Sequence, residues 1–154
     1  PDISLPALAR LTQSYTAEFD IRPFIVSYPE KAFEFLRNLA MSKDFHERRL
    51  ASEGCRPRLP LASHLNALKD NTQPCLDIVA ILKRDPVHYL QNSVANHLGD
   101  ILKDNPLVGY EILSDWAIDN NPITNWIIKR AIRKPVQDKE QPALDLLSRL
   151  SQLQ

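Results

Sequence analysis

Apolar residues recur at helical spacing along nearly the whole chain. In one stretch Val87, Leu90, Val94, Leu98 and Ile101 fall on a single stripe, while Ser93, Asn96, His97 and Asp100 form a separate polar one. The pattern predicts helices over residues 4–13, 17–27, 30–41, 44–54, 60–69, 74–83, 87–103, 106–118, 123–133 and 141–151. Their punctuation is legible. Thr16, Ser42 and Asp85 suit N-caps, Gly54 suits a C-terminal stop, and Pro60, Pro74, Pro86, Pro106 and Pro122 stand at helix starts. No segment alternates apolar and polar residues long enough to form a strand, so the fold class expected is all-α.

The helices repeat. Asp85-Pro86-Val87 opens one long helix that contains Ala95, and Asn121-Pro122-Ile123 opens another, 36 positions on, that contains Ala131. A looser copy begins at Lys43-Asp44-Phe45 and carries Arg48-Arg49-Leu50-Ala51 at its middle. Repeats near this length stack as a solenoid, because one helix pair cannot bury its apolar face alone; such an α-α superhelix presents a concave face. A plain multi-helix bundle is the alternative. No domain boundary is visible, so residues 1–154 are expected to form a single helical-repeat domain, with Lys134–Gln141 as the only linker-like stretch.

Composition adds a few exclusions. The 154 residues are 44% apolar and 25% charged, ordinary for a globular chain with a real core. Only 7% are aromatic and Gly numbers 3, which argues against a turn-rich sheet fold. The formal net charge is 0, so nucleic-acid binding would have to rest on local patches. Cys55 and Cys75 form no CxxC motif and are expected as two reduced thiols of a cytoplasmic protein. No apolar run is long enough to span a bilayer and no signal-peptide pattern is present; the chain opens Pro1-Asp2, as a processed or partial sequence would.

Four segments carry candidate chemistry. In Arg48-Arg49-Leu50-Ala51-Ser52-Glu53-Gly54-Cys55-Arg56-Pro57-Arg58, Glu53 sits in a last helical turn, where exposed carbonyls repel a carboxylate. Arg49, at i−4, could compensate it. In Thr16-Ala17-Glu18-Phe19-Asp20-Ile21-Arg22-Pro23-Phe24, Glu18 borders the stripe of Ile21 and Ile25, or complements a helix N-terminus. Ser93, Asn96, His97 and Asp100 suit the lining of a cleft, or a solvated face with an Asp100–Lys103 pair. Lys129, Arg130, Arg133 and Lys134 cluster near one helix C-terminus, where cations are favourable in any protein and also suit phosphate contact.

These segments, in this order and spacing, resemble the AlkC family of bacterial DNA alkylation repair proteins, from about Thr16 to Leu147. The resemblance implies a HEAT-like helical-repeat fold and a DNA glycosylase that excises cationic alkylated bases such as 3-methyladenine. It assigns Glu18, Glu53 and Asp100 as catalytic acids, matching the family's Thr-x-Glu-Phe, Ser-Glu-Gly and Asn-His-Leu-x-Asp motifs. Arg48, Arg49, Arg56, Arg58, Ser93, Asn96, His97, Lys129, Arg130 and Arg133 become candidates for DNA contact. The partner implied is double-stranded DNA with alkylated bases, bound by a monomer, with no membrane, no metal and no organic cofactor. The chain departs from the family at Leu61, where Trp is usual, at Leu90-Gln91-Asn92, where Val-Arg-Arg is usual, and at Arg130, where His is usual. Pro135 is expected to interrupt the last basic helix, and the chain reads as shorter than the family at both ends.

The implied reaction places Glu18 and Asp100 at the lesion, with Glu53 supporting them through Arg49 or the substrate. Two other readings stand beside it: a non-catalytic DNA-damage-binding paralogue, and a protein-interaction scaffold.

Overall fold

Residues 2–152 are described by a computed structural model, and among them every regular element is a helix. The all-α class expected from the periodicity is therefore the class observed. The chain divides into two compact units, one up to Leu82 and one from Lys83 onward.

The first unit holds α1 (Ser4–Thr12), α2 (Arg22–Ser27), α3 (Pro29–Ala40), α4 (Phe45–Gly54), α5 (Ala67–Asp70) and α6 (Gln73–Leu82). Helix α3 is central and packs on α2, α4 and α6, while α1 lies on α4 and α3. Ile21, Leu36, Leu50, Ile78 and Leu82 are fully enclosed in its core. The cap of α4 is Asp44 rather than Ser42. Its carboxylate accepts from His46 N at 2.7 Å and Glu47 N at 3.4 Å, and Ser42 Oγ accepts from Asp44 N at 3.1 Å. A carboxylate satisfies orphan N–H groups and also complements the positive helix end, so the acid wins the position.

Two expected helices are shortened. The one read over 17–27 begins at Arg22; residues 18–21 form a turn, and Thr16 is not its cap. Pro23 explains the start, since its missing N–H is tolerated only in a first turn. The one read over 60–69 survives only as α5. From Pro57 to Asn66 the backbone is irregular, and the Ser63 carbonyl within it is taken by a tertiary partner, Arg22.

Gly54 ends α4, but no positive φ is needed there. Its role is close approach: a Cβ at this position would meet Ile21 Cγ2 at 2.6 Å. Gly54→Ala should therefore destabilise the protein by about 1–3 kcal/mol through overpacking, read as a lower denaturant midpoint. An unchanged midpoint would show that Ile21 yields freely.

The second unit holds α7 (His88–Asp104), α8 (Pro106–Ile118), α9 (Pro122–Ala131), α10 (Arg133–Gln137) and α11 (Gln141–Gln152). Helix α7 packs on α9 and α8, around Leu90, Val94, Leu98, Ile101, Leu113, Ile127 and Ile128. The repeat read in the sequence has a structural counterpart. Asp85 Oδ1 accepts from Val87 N at 2.9 Å, just as Asn121 Oδ1 accepts from Ile123 N at 3.0 Å. The equivalent Ala95 and Ala131 are both buried. The first half of the stretch read as a linker lies in α10, with Pro135 in its first turn. The interruption lies earlier than Pro135, at Ile132, which separates α9 from α10. No helix among the described residues is long and apolar enough to cross a membrane.

Candidate functional site

Glu18 lies in the turn before α2, only 7% exposed. Its Oε1 faces the Arg49 guanidinium, with Nη1 at 3.4 Å and Nη2 at 3.5 Å. Its Oε2 is buried and has no hydrogen-bond partner among the described residues. A buried carboxylate oxygen without a donor is costly, and such an atom marks a place where a ligand can supply what the fold does not.

Glu53 is buried in the last turn of α4 and pairs with Arg56 through an Oε2–Nη1 contact of 3.0 Å. This corrects the Glu53–Arg49 pairing expected from i−4 spacing. The chain folds back at the end of α4, where Arg56 N donates to Glu53 O at 3.2 Å, and this return lays the Arg56 guanidinium on the acid. Arg49, one turn earlier, is drawn instead to Glu18, 31 positions away. The cation that the terminal carboxylate requires is thus present, but it comes from beyond the helix.

A third guanidinium ties down the chain that follows Glu53. Arg22 is 5% exposed, and its Nη1 donates to Gly54 O at 3.1 Å and Arg56 O at 2.9 Å. Its Nη2 donates to Ser63 O at 2.6 Å. One planar fork, four residues after Glu18 in sequence, therefore holds two carbonyls of the return after Glu53 and the loop beyond them. Sequence reasoning quoted Arg22 without giving it a role. The one signal available was an arginine directly before the helix-opening Pro23, where its own backbone needs little help.

The other expected cations divide by burial. Arg56 is buried and Arg49 half-buried, both facing acids. Arg48 Nη1 donates to Ser42 O and Lys43 O, each at 3.0 Å. Arg58 is half-buried. In the second unit Arg130 and Arg133 are exposed and Lys129 half-exposed, and none of the three forms an ion pair among the described residues. Lys134 pairs with Asp138 at 2.6 Å.

The polar stripe on α7 is not a solvated face. Ser93, His97 and Asp100 are buried, at 3%, 0% and 4% exposure, and of the stripe only Asn96 is exposed. Cys55 and Cys75 are both free and buried. The Cys75 thiol donates to Cys55 O at 3.3 Å, and its hydrogen bonding with Cys55, together with burial, pushes it well above the usual thiol range. A thiol held protonated in this way is a poor nucleophile.

Leu61, in the loop after Pro60, has φ 65 and is fully exposed. The departure from Trp at this position therefore places an aliphatic side chain in solvent.

Against known proteins the chain is similar to an alkylpurine DNA glycosylase, AlkC of Pseudomonas fluorescens, solved bound to DNA containing an abasic site analog. The TM-score is 0.90 at 36% identity, covering 95% of this chain and 41% of that one. It is also 41% identical over 143 residues to the uncharacterized protein YhaZ of Bacillus subtilis, covering 93% of this chain and 40% of that protein. The chain thus spans about two fifths of the length of each. No family model matches it.

Proposed function

We propose, on the premise that this chain is AlkC-like in fold and sequence, that it serves as an alkylpurine DNA glycosylase. It would hydrolyse the N-glycosidic bond of cationic alkylated bases such as 3-methyladenine in double-stranded DNA. The observation that carries the reading is Glu18: a buried carboxylate with one oxygen held by Arg49 and the other uncommitted.

The chemistry suits such a group. An alkylated purine already bears positive charge, so it departs with the electron pair of the C1′–N bond and leaves as a neutral base. Positive charge builds on the sugar as that bond breaks, and a fixed carboxylate stabilises it. Water then bonds to C1′ and gives up a proton, which a carboxylate accepts. The reaction needs no metal and no redox group. In this reading Glu18 and Asp100 are the acids of the reaction, and Glu53 acts through Arg56, holding the end of α4. Arg49 holds Glu18 Oε1 in place.

Affinity would come from cations not already spent inside the fold, chiefly Arg130, Arg133 and Lys129, meeting phosphate. The test is base release from methylated duplex together with binding across salt. Both release and a steep salt dependence are expected. The double variant Arg130→Ala, Arg133→Ala should lower the slope of log affinity against log salt by about 2. Salt-sensitive binding without release would instead support a damage-binding protein, and neither activity would support a protein-interaction scaffold.

A further inference from the structure

The first unit carries a groove that the glycosylase reading leaves unused. A hollow of about 650 Å³ opens between α3, α5 and α6. That size falls within the range of roughly 300–1,000 Å³ typical of binding sites. None of Glu18, Arg49 and Glu53 lines it. Phe33 and Leu68 do, and both are buried, so they give it an apolar floor. Ala67 on α5 is exposed beside them, and its small side chain leaves the space open.

The rim is charged. Glu30, Glu34 and Arg37 follow one another along one face of α3, and Asp77 joins them from α6. Three carboxylates against one guanidinium give the lining a formal charge of −2. Glu30 and Glu34 stand four residues apart, a spacing at which like charges repel on a helix. Lys31, three residues before Glu34, is held by Asp2 at 2.9 Å. Gln73 Nε2 donates to Asp77 Oδ1 at 2.7 Å and steadies that carboxylate at the rim.

We propose that this groove docks a partner protein through a short segment of mixed character. The segment seats one large apolar side chain on Phe33 and Leu68 and sets lysine or arginine against Glu30, Glu34 and Asp77. The floor supplies affinity as apolar surface leaves water, and the acidic rim selects basic neighbours and rejects acidic ones. A wholly apolar occupant would leave the carboxylates unanswered, and a wholly basic one would leave the floor unfilled. The sign of the rim repels nucleic acid, so this occupant is distinct from DNA. The inference does not rest on the glycosylase reading.

The test is a selection of random short peptides displayed on phage, with the parent protein as bait. Enriched peptides are expected to carry a large apolar residue beside lysine or arginine. A synthetic peptide of the enriched sequence should bind saturably. It should lose affinity about tenfold or more in Ala67→Trp, which fills the hollow, and in Glu34→Lys, which reverses the rim. Both positions are exposed, so both variants should keep the parent's unfolding midpoint and its rate of alkylpurine release. No enrichment on the parent over Ala67→Trp, or an enriched motif rich in acids, overturns the proposal. A peptide that binds parent and both variants equally well also overturns it. Self-association of the parent that Ala67→Trp abolishes would assign the groove to a second copy of the chain and overturn it too.

Discussion

Glu18→Gln and Asp100→Asn each lower alkylpurine release about a hundredfold or more, while the variants stay folded and still bind duplex. For Glu18 the argument is geometric. Glutamine is isosteric, and its Oε1 can go on accepting from Arg49. What it loses is the negative charge on the buried carboxylate whose Oε2 has no partner among the described residues. Removing a fixed charge or donor aimed at a developing transition-state charge typically costs factors of a hundred to a thousand. Asp100 is 4% exposed on α7, and asparagine keeps its shape while removing the charge. Single-turnover release from methylated DNA, paired with a binding titration, separates lost chemistry from lost affinity. Unchanged release in either variant would remove that acid from the mechanism.

Arg22→Met should unfold the protein most readily of the single substitutions considered, by about 3 kcal/mol or more. Three carbonyls lose their donor at once, at Gly54, Arg56 and Ser63. Two of those bonds are buried, and unsatisfied buried acceptors cost about 1–3 kcal/mol each. Methionine roughly fills the volume, so the loss reports the hydrogen bonds rather than a cavity. Arg22→Lys should recover only part of it, because an ammonium cannot reproduce the planar fork. Denaturant unfolding measures the effect, and Arg22→Met with the parent's stability would refute the organising role given to this side chain.

Much of the fold is legible in the sequence because its helices obey local rules. Pro106 and an uninterrupted apolar pattern mark α8 over 106–118, as observed. Asp85 and Asn121 mark the two repeat starts because their side chains bond the next turn. Two of the misreadings share one cause, which is that tertiary partners overrode local preference. Residues 60–66 follow a proline and read as helix, yet the Ser63 carbonyl goes to Arg22, 41 positions earlier. Gly54 reads as a conformational stop, but its reason is the side chain of Ile21 against it. Pro135 reads as an interruption and instead sits in the first turn of α10.

The candidate acids were legible only as motifs. Periodicity placed Glu18 beside apolar positions and Gly54 placed Glu53 in a last helical turn; both are buried, but neither signal could choose their cations. The i−4 rule selected Arg49 for Glu53, whereas the fold gives Arg56 to Glu53 and Arg49 to Glu18. A spacing rule covers neighbours on one helix, and these pairs depend on a chain reversal and on a contact across 31 positions.

The most direct test of the central claim is whether the parent protein converts methylated duplex into free alkylpurine and abasic DNA. Chromatography of the released base, with alkaline cleavage of the remaining strand, reads both products of one reaction. The account predicts equal amounts of each, rising with enzyme and lost in Glu18→Gln. Methylated duplex that is bound by the parent but yields neither product would contradict it.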